Sequence, residues 1–122
     1  QLYLVRKYLK KNHNSKIIGC KTIREKNKLA LSSRNLRLSK TQIINASKLI
    51  QNIMNIRKKF KKNDNFNKIL NYKKKELKKL YKIKIEYLEF RNIKNLRLSN
   101  KLKNSRIFLA YYLGEVRLID NF

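Results

Sequence analysis

Residues 106–121 read RIFLAYYLGEVRLIDN, and the break inside them decides the fold. A strand-like run from Arg106 to Leu113 stops at Gly114-Glu115 and resumes over Val116–Ile119. Runs this rich in Ile, Leu, Tyr and Phe favour extended backbone, and a two-residue loop is a common way to join antiparallel strands. Glycine at the first of the two loop positions suits a type II′ turn, which requires positive φ there. Upstream, Ile83, Ile85 and Tyr87 alternate with Lys84, Glu86 and Leu88, which is strand spacing. Arg91 to Asn104 reads as a polar connection between the two strand regions. A small antiparallel sheet is therefore expected to close the chain.

Two helices are expected ahead of that sheet. Ser39-Lys40-Thr41-Gln42 fits a capping box, in which the cap hydroxyl and the glutamine amide satisfy each other's orphan backbone donors. Apolar residues follow at Ile43, Ala46, Leu49, Ile50, Ile53, Ile56 and Phe60, a helical stripe expected to run to about Lys62. Asn63–Asn65 marks a turn, with Asp64 the expected cap of the next helix. Phe66, Ile69, Leu70, Leu77 and Leu80 should share one face of it, leaving Lys73–Lys75 and Lys78–Lys79 solvated.

Toward the N-terminus, Leu2, Val5 and Leu9 fall at helical spacing, and Asn12 and Asn14 mark its end. Lys16–Cys20 (KIIGC) is a short apolar run ending in glycine, and reads as a buried strand. Helix, short turn and buried strand form the rhythm of a parallel α/β unit. The chain opens at Gln1 inside an amphipathic pattern, so it is expected to be a piece of a longer protein.

Composition excludes several classes. One cysteine, Cys20, cannot staple the chain, and Cys20 with the sole histidine, His13, cannot make a tetrahedral metal site. The longest apolar run, Ile107 to Leu113, falls short of the roughly 20 residues of a membrane helix. The 122 residues carry 33 Lys+Arg against 7 Asp+Glu, a net charge of +26. Such charge invites a reading as a basic RNA- or DNA-binding module, with Tyr87, Phe90, Phe108, Tyr111 and Tyr112 available to stack bases. The chain also holds 16 Asn and 14 Ile. Lys, Asn and Ile share A/T-only codons, and selection for phosphate contacts would not enrich Ile. Compositional drift thus accounts for all three residues together, and His13 reads as a solvated turn residue.

The stretch that carries chemistry is Lys21–Ser39, KTIREKNKLALSSRNLRLS. Two hydroxyls and a guanidinium at Ser32-Ser33-Arg34 can bind phosphate oxygens, the arginine through charge-assisted bidentate contacts. A polar loop leading into a helix cap has the same short composition, so these residues alone leave both readings open.

The longer context resembles the pantothenate synthetase (pantoate–β-alanine ligase) family. Thr22-Ile23-Arg24-Glu25, then Leu29-Ala30-Leu31-Ser32-Ser33-Arg34-Asn35 and Leu38-Ser39, are similar to the family's "TVRE…LAxSSRNxxLS" block. Arg106 to Asn121 resembles its C-terminal hairpin, and Gln1-Leu2 with Val5-Arg6 resembles its "KDxQQ" segment and the helix after it. The resemblance implies a nucleotidyltransferase-like, Rossmann-like α/β fragment over 1–38, and over 39–122 an α+β lid domain of helices and a three-stranded antiparallel sheet. It implies a ligase that condenses pantoate with β-alanine, through a pantoyl adenylate, to pantothenate, AMP and pyrophosphate, with ATP and Mg²⁺. It also implies a cytoplasmic homodimer held through the N-terminal domain, with no membrane partner.

Residue by residue, Leu31, Ser32, Ser33 and Arg34 fall on the family's phosphate-binding loop. Ser32 and Ser33 would hold phosphate oxygens, and Arg34 would neutralise charge on the leaving pyrophosphate. Ile23 falls where backbone holds the adenine, and Gln1 where an amide binds pantoate. The family's HxGH motif, and the Lys and Asp ahead of Gln1, are expected in sequence upstream. Two departures stand out: Lys21 replaces the usual Pro, and Asn27-Lys28 replaces Asp-Gly. Losing that glycine removes easy access to positive φ, so the loop is expected to be held differently.

Overall fold

The computed structural model describes residues 2–12 and 16–122; the expectations for Gln1 and His13 lie outside them. In chain order the elements are α1 (Leu2–Asn12), a short 3₁₀ turn (Ser33–Arg37), α2 (Lys40–Lys58), α3 (Phe66–Tyr81), β1 (Lys84–Asn92), β2 (Ser105–Leu113) and β3 (Val116–Asn121). The strands form one antiparallel sheet in the order β1-β2-β3. Its inner face packs against α2 and α3, and one hydrophobic core runs from Leu29 to Leu118.

α2 starts where the capping box places it. The Ser39 hydroxyl accepts from the Gln42 backbone N–H at 3.2 Å, and the Gln42 Oε1 accepts from the Ser39 N–H at 2.8 Å. Ala46, Leu49, Ile50, Ile53 and Ile56 are buried along one stripe. The helix ends at Lys58, short of Lys62, because the chain turns there to bring Phe60 into the core. Phe60, Phe66 and Phe90 pack as a trio with ring centroids 4.6–5.5 Å apart. Asn65, not Asp64, caps α3. Its side chain accepts from the Lys68 N–H at 3.1 Å, three residues on, where a cap must reach. Asp64 closes the preceding turn instead, accepting from the Lys61 N–H at 2.7 Å.

α3 buries Phe66, Leu70 and Leu77 as expected, but Leu80 is 60% exposed. The last turn of the helix is where the chain reverses through Lys82, which has a left-handed backbone. Ile83 and Tyr81 cover the core at that point and leave Leu80 outside.

β1 departs from strict alternation. Its register against β2 shifts between Ile85 and Tyr87, so Glu86 is a bulge. The extra residue changes the parity, and Ile85, Leu88 and Phe90 all face the core while Tyr87 does not. The connection expected from Arg91 begins later, because Arg91 and Asn92 still pair with Arg106 and Ser105 of β2. Residues 93–104 form a folded excursion, closed by bonds from Ser99 N–H to the Phe90 carbonyl (2.9 Å) and from Ile93 N–H to the Asn104 carbonyl (2.8 Å). The β2–β3 hairpin closes on the Leu113–Val116 pair. Gly114 has φ +57° and Glu115 has no positive φ, the type II′ pattern.

Lys16–Cys20 is not a strand. It has no regular structure, and Ile18 is 76% exposed. A strand exists only through hydrogen bonds to a neighbour, and no described segment pairs with it. The segment does touch α1: a Cβ added at Gly19 would come 2.7 Å from the Leu2 Cδ2 atom. Leu2, Leu4, Val5 and Tyr8 of α1 are exposed. No helix of the described residues is long and apolar enough to cross a membrane.

Candidate functional site

The segment Ile23–Leu31 folds back on itself as a tight turn. Leu31 N–H donates to the Ile23 carbonyl at 2.9 Å, and Glu25 N–H to the Leu29 carbonyl at 2.8 Å. Lys28 N–H closes the turn on the Glu25 carbonyl at 2.9 Å, and Lys28 itself has φ +75°. Lys28 therefore takes the left-handed conformation that glycine would adopt freely. Three side chains hold it there. The Asn27 Oδ1 accepts from Leu29 N–H (3.0 Å), the Arg24 guanidinium donates to the Lys28 carbonyl (3.0 Å), and the Ser47 hydroxyl of α2 donates to the Asn27 carbonyl (2.6 Å).

Ser32, Ser33 and Arg34 leave this turn as a ledge. Ser32 is extended and caps the 3₁₀ turn, its Oγ accepting from the Arg34 N–H at 3.2 Å. That bond uses a lone pair and leaves the hydroxyl proton to donate elsewhere. Ser33 and Arg34 are exposed. The Arg34 guanidinium has one long contact, 3.4 Å to the Arg117 carbonyl of β3, and no carboxylate partner among the described residues. Ile23 (71% exposed) and Leu31 (64%) are exposed beside it, joined through their backbones. The structure thus gathers Ile23, Leu31, Ser32, Ser33 and Arg34 on one accessible edge. The buried Leu29 and Leu38 anchor its two ends in the core.

The residues that hold the ledge are not those the phosphate chemistry singles out. Asn35 turns inward and donates to the Glu25 carboxylate (2.8 Å) and the Ala30 carbonyl (3.0 Å). Arg24 reaches across 96 residues to Asp120 of β3, with bidentate bonds of 2.7 and 2.9 Å. It also donates to the Asn121 carbonyl (3.2 Å) and lies over the Phe122 ring, 5.0 Å from its centroid. The Asp120 side chain is 3% exposed. Nearby, burial and the Asp120 charge push the Tyr111 hydroxyl above its ordinary range, so it keeps its proton. A charged pair in a short motif carries no local periodicity. The only sequence signal was that Arg24, Glu25, Asn35 and Asp120 all lie within the quoted blocks.

The structure removes two of the five aromatics proposed for base stacking: Phe90 is fully buried and Tyr111 nearly so. Arg91 and Arg117, on the same sheet, are paired to Glu89 and Glu86. Among the described residues, no group of three His, Cys, Asp or Glu side chains could hold a metal.

A family model described as pantoate-beta-alanine ligase matches residues 1–122. The chain belongs to the pantoate-beta-alanine ligase family. It is 36% identical to a pantothenate synthetase of Flavobacterium psychrophilum over 125 residues, covering 99% of this chain and 44% of that protein. It is 37% identical to one of Wigglesworthia glossinidia brevipalpis, covering 99% and 44%. A crystal structure of pantothenate synthetase from Thermus thermophilus superposes with a TM-score of 0.85 at 26% identity, covering 99% of this chain and 45% of that one. The Francisella tularensis pantoate-beta-alanine ligase, complexed with beta-gamma ATP and beta-alanine, superposes at 0.70 with 32% identity, covering 100% and 39%. The chain spans less than half the length of these relatives.

Proposed function

We propose that this chain forms the C-terminal part of an ATP-dependent ligase that joins pantoate to β-alanine through a pantoyl adenylate. Residues 1–38 end its Rossmann-like nucleotidyltransferase domain, and 39–122 form the lid. In this reading a pantoate carboxylate oxygen attacks the α-phosphorus of ATP and pyrophosphate leaves. The β-alanine amine then attacks the acyl carbon and AMP leaves. Ser32 and Ser33 donate to phosphate oxygens, and Arg34 balances charge that builds on the departing pyrophosphate. Ile23 holds the adenine through its backbone, Leu31 belongs to the phosphate-binding loop, and Gln1 binds pantoate. Magnesium, when bound, shields the triphosphate. The described residues offer it no carboxylate cluster, so it would be held through phosphate oxygens or by other polypeptide. The enzyme acts in the cytoplasm as a homodimer joined through its N-terminal domain.

One observation carries this reading: blocks far apart in the chain that bear the family resemblance meet at one place. Arg24 is bonded to Asp120 and Asn35 to Glu25, and between them Ser32, Ser33 and an Arg34 without a carboxylate partner among the described residues are held open. The test is product formation by the full-length protein given pantoate, β-alanine and Mg-ATP. Pantothenate and AMP should appear in equal amounts, and Arg34→Ala should lower turnover by about 10²- to 10³-fold. No pantothenate from the unaltered protein would overturn the reading.

A further inference from the structure

We propose that Arg24 and Asp120 are positioning residues that index the Ser32–Arg34 ledge to strand β3; the inference rests on the ligase reading above. The ledge leans on β3 at two points. Arg24 grips Asp120 with two bonds of 2.7 and 2.9 Å, and the Arg34 guanidinium touches the Arg117 carbonyl three residues away. Arg24 and Ala30 form a backbone bridge one residue before Leu31, so the residue that carries the guanidinium is tied to the start of the ledge. The same guanidinium supports the Lys28 carbonyl at the turn whose backbone is left-handed. Its planar fork is matched to the carboxylate in a way an ammonium cannot copy. Asp120 is buried and also accepts from the Asn121 N–H at 2.7 Å, so its carboxylate is fixed from its own strand.

A misplacement of about 1 Å in a group that acts on developing charge can cost about 10²-fold in rate. Loosening this grip should therefore reduce turnover and leave ATP affinity nearly intact. The variants are Asp120→Asn and Arg24→Lys in the full-length protein, assayed for pantothenate formation with thermal unfolding in parallel. We expect kcat to fall about 10- to 100-fold with the KM for ATP changed less than about threefold. Leu70→Val, in the core of α3 away from the ledge, serves as the stability control. It should lower the unfolding temperature and keep kcat. Arg24→Lys keeps the charge and decides the matter if Asp120→Asn does not fold. Unchanged kcat in a folded variant would overturn the proposal, as would a fall in kcat that Leu70→Val shows equally at the same loss of unfolding temperature. Failure of the ligase reading looks different: the unaltered protein makes no pantothenate.

Discussion

Lys28 has φ +75° in an exposed turn, a conformation that costs a residue with a Cβ about 1–2 kcal/mol. Replacing it with glycine removes that cost. Against this stands the larger conformational freedom glycine returns to the unfolded chain, about 0.4–1 kcal/mol. Among the described residues no side-chain bond of Lys28 is present to be lost, and its N–H and carbonyl bonds to Glu25 and Arg24 are backbone groups that survive. Lys28→Gly should therefore stabilise the protein by about 0.5–1 kcal/mol. Lys26, two residues earlier in the same turn, is exposed and has no positive φ. There glycine brings only the entropic term, and Lys26→Gly should destabilise by about 0.4–1 kcal/mol. Parallel urea unfolding of the parent and both variants reads the two signs from the midpoints at constant slope. Destabilisation by both glycines would contradict this, because the backbone at Lys28 would then carry no strain that outweighs the entropic term.

Ser39→Ala removes the hydroxyl half of the capping box and should cost about 1 kcal/mol by the same assay; a change under about 0.3 kcal/mol would show that α2 is held by packing alone. The Arg117 guanidinium donates to both Glu86 oxygens (2.7 and 3.1 Å) and, foremost by that bond, holds the carboxyl below its ordinary range. A carboxylate so lowered adds stability that is complete above its unfolded-state value and is lost as pH falls through the folded one. The stability gap between the parent and Glu86→Gln should therefore narrow from pH 7 toward acid, and a gap that stays constant or widens contradicts the pairing.

Local chemistry made the fold legible wherever a residue acts within its own turn or strand. The Ser39–Gln42 box, the Gly114-Glu115 hairpin and the Ala46–Ile56 stripe are of this kind, and all stand as read. The misreadings share a different cause. Lys16–Cys20 has strand composition, but a strand needs a neighbour, and apolar residues alone do not provide one. Tyr87 fits the alternation of Ile83 and Ile85, but the bulge at Glu86 shifts the register, and nothing in the side chains announces it. At the ledge, the hydroxyls and guanidinium read in sequence as groups able to bind phosphate oxygens, and Ser33 and Arg34 are exposed in the structure. The Arg24–Asp120 pair that supports them spans 96 residues and shows itself only when the sheet is built.

The proposed adenylation places the triphosphate on Ser32, Ser33 and Arg34. The most direct measurement is exchange of labelled pyrophosphate into ATP by the full-length protein, with magnesium and pantoate but no β-alanine. Pantoate-dependent exchange that falls about 10²- to 10³-fold in Arg34→Ala is the expected result. Exchange that is absent from the parent, or undiminished in Arg34→Ala, would contradict it.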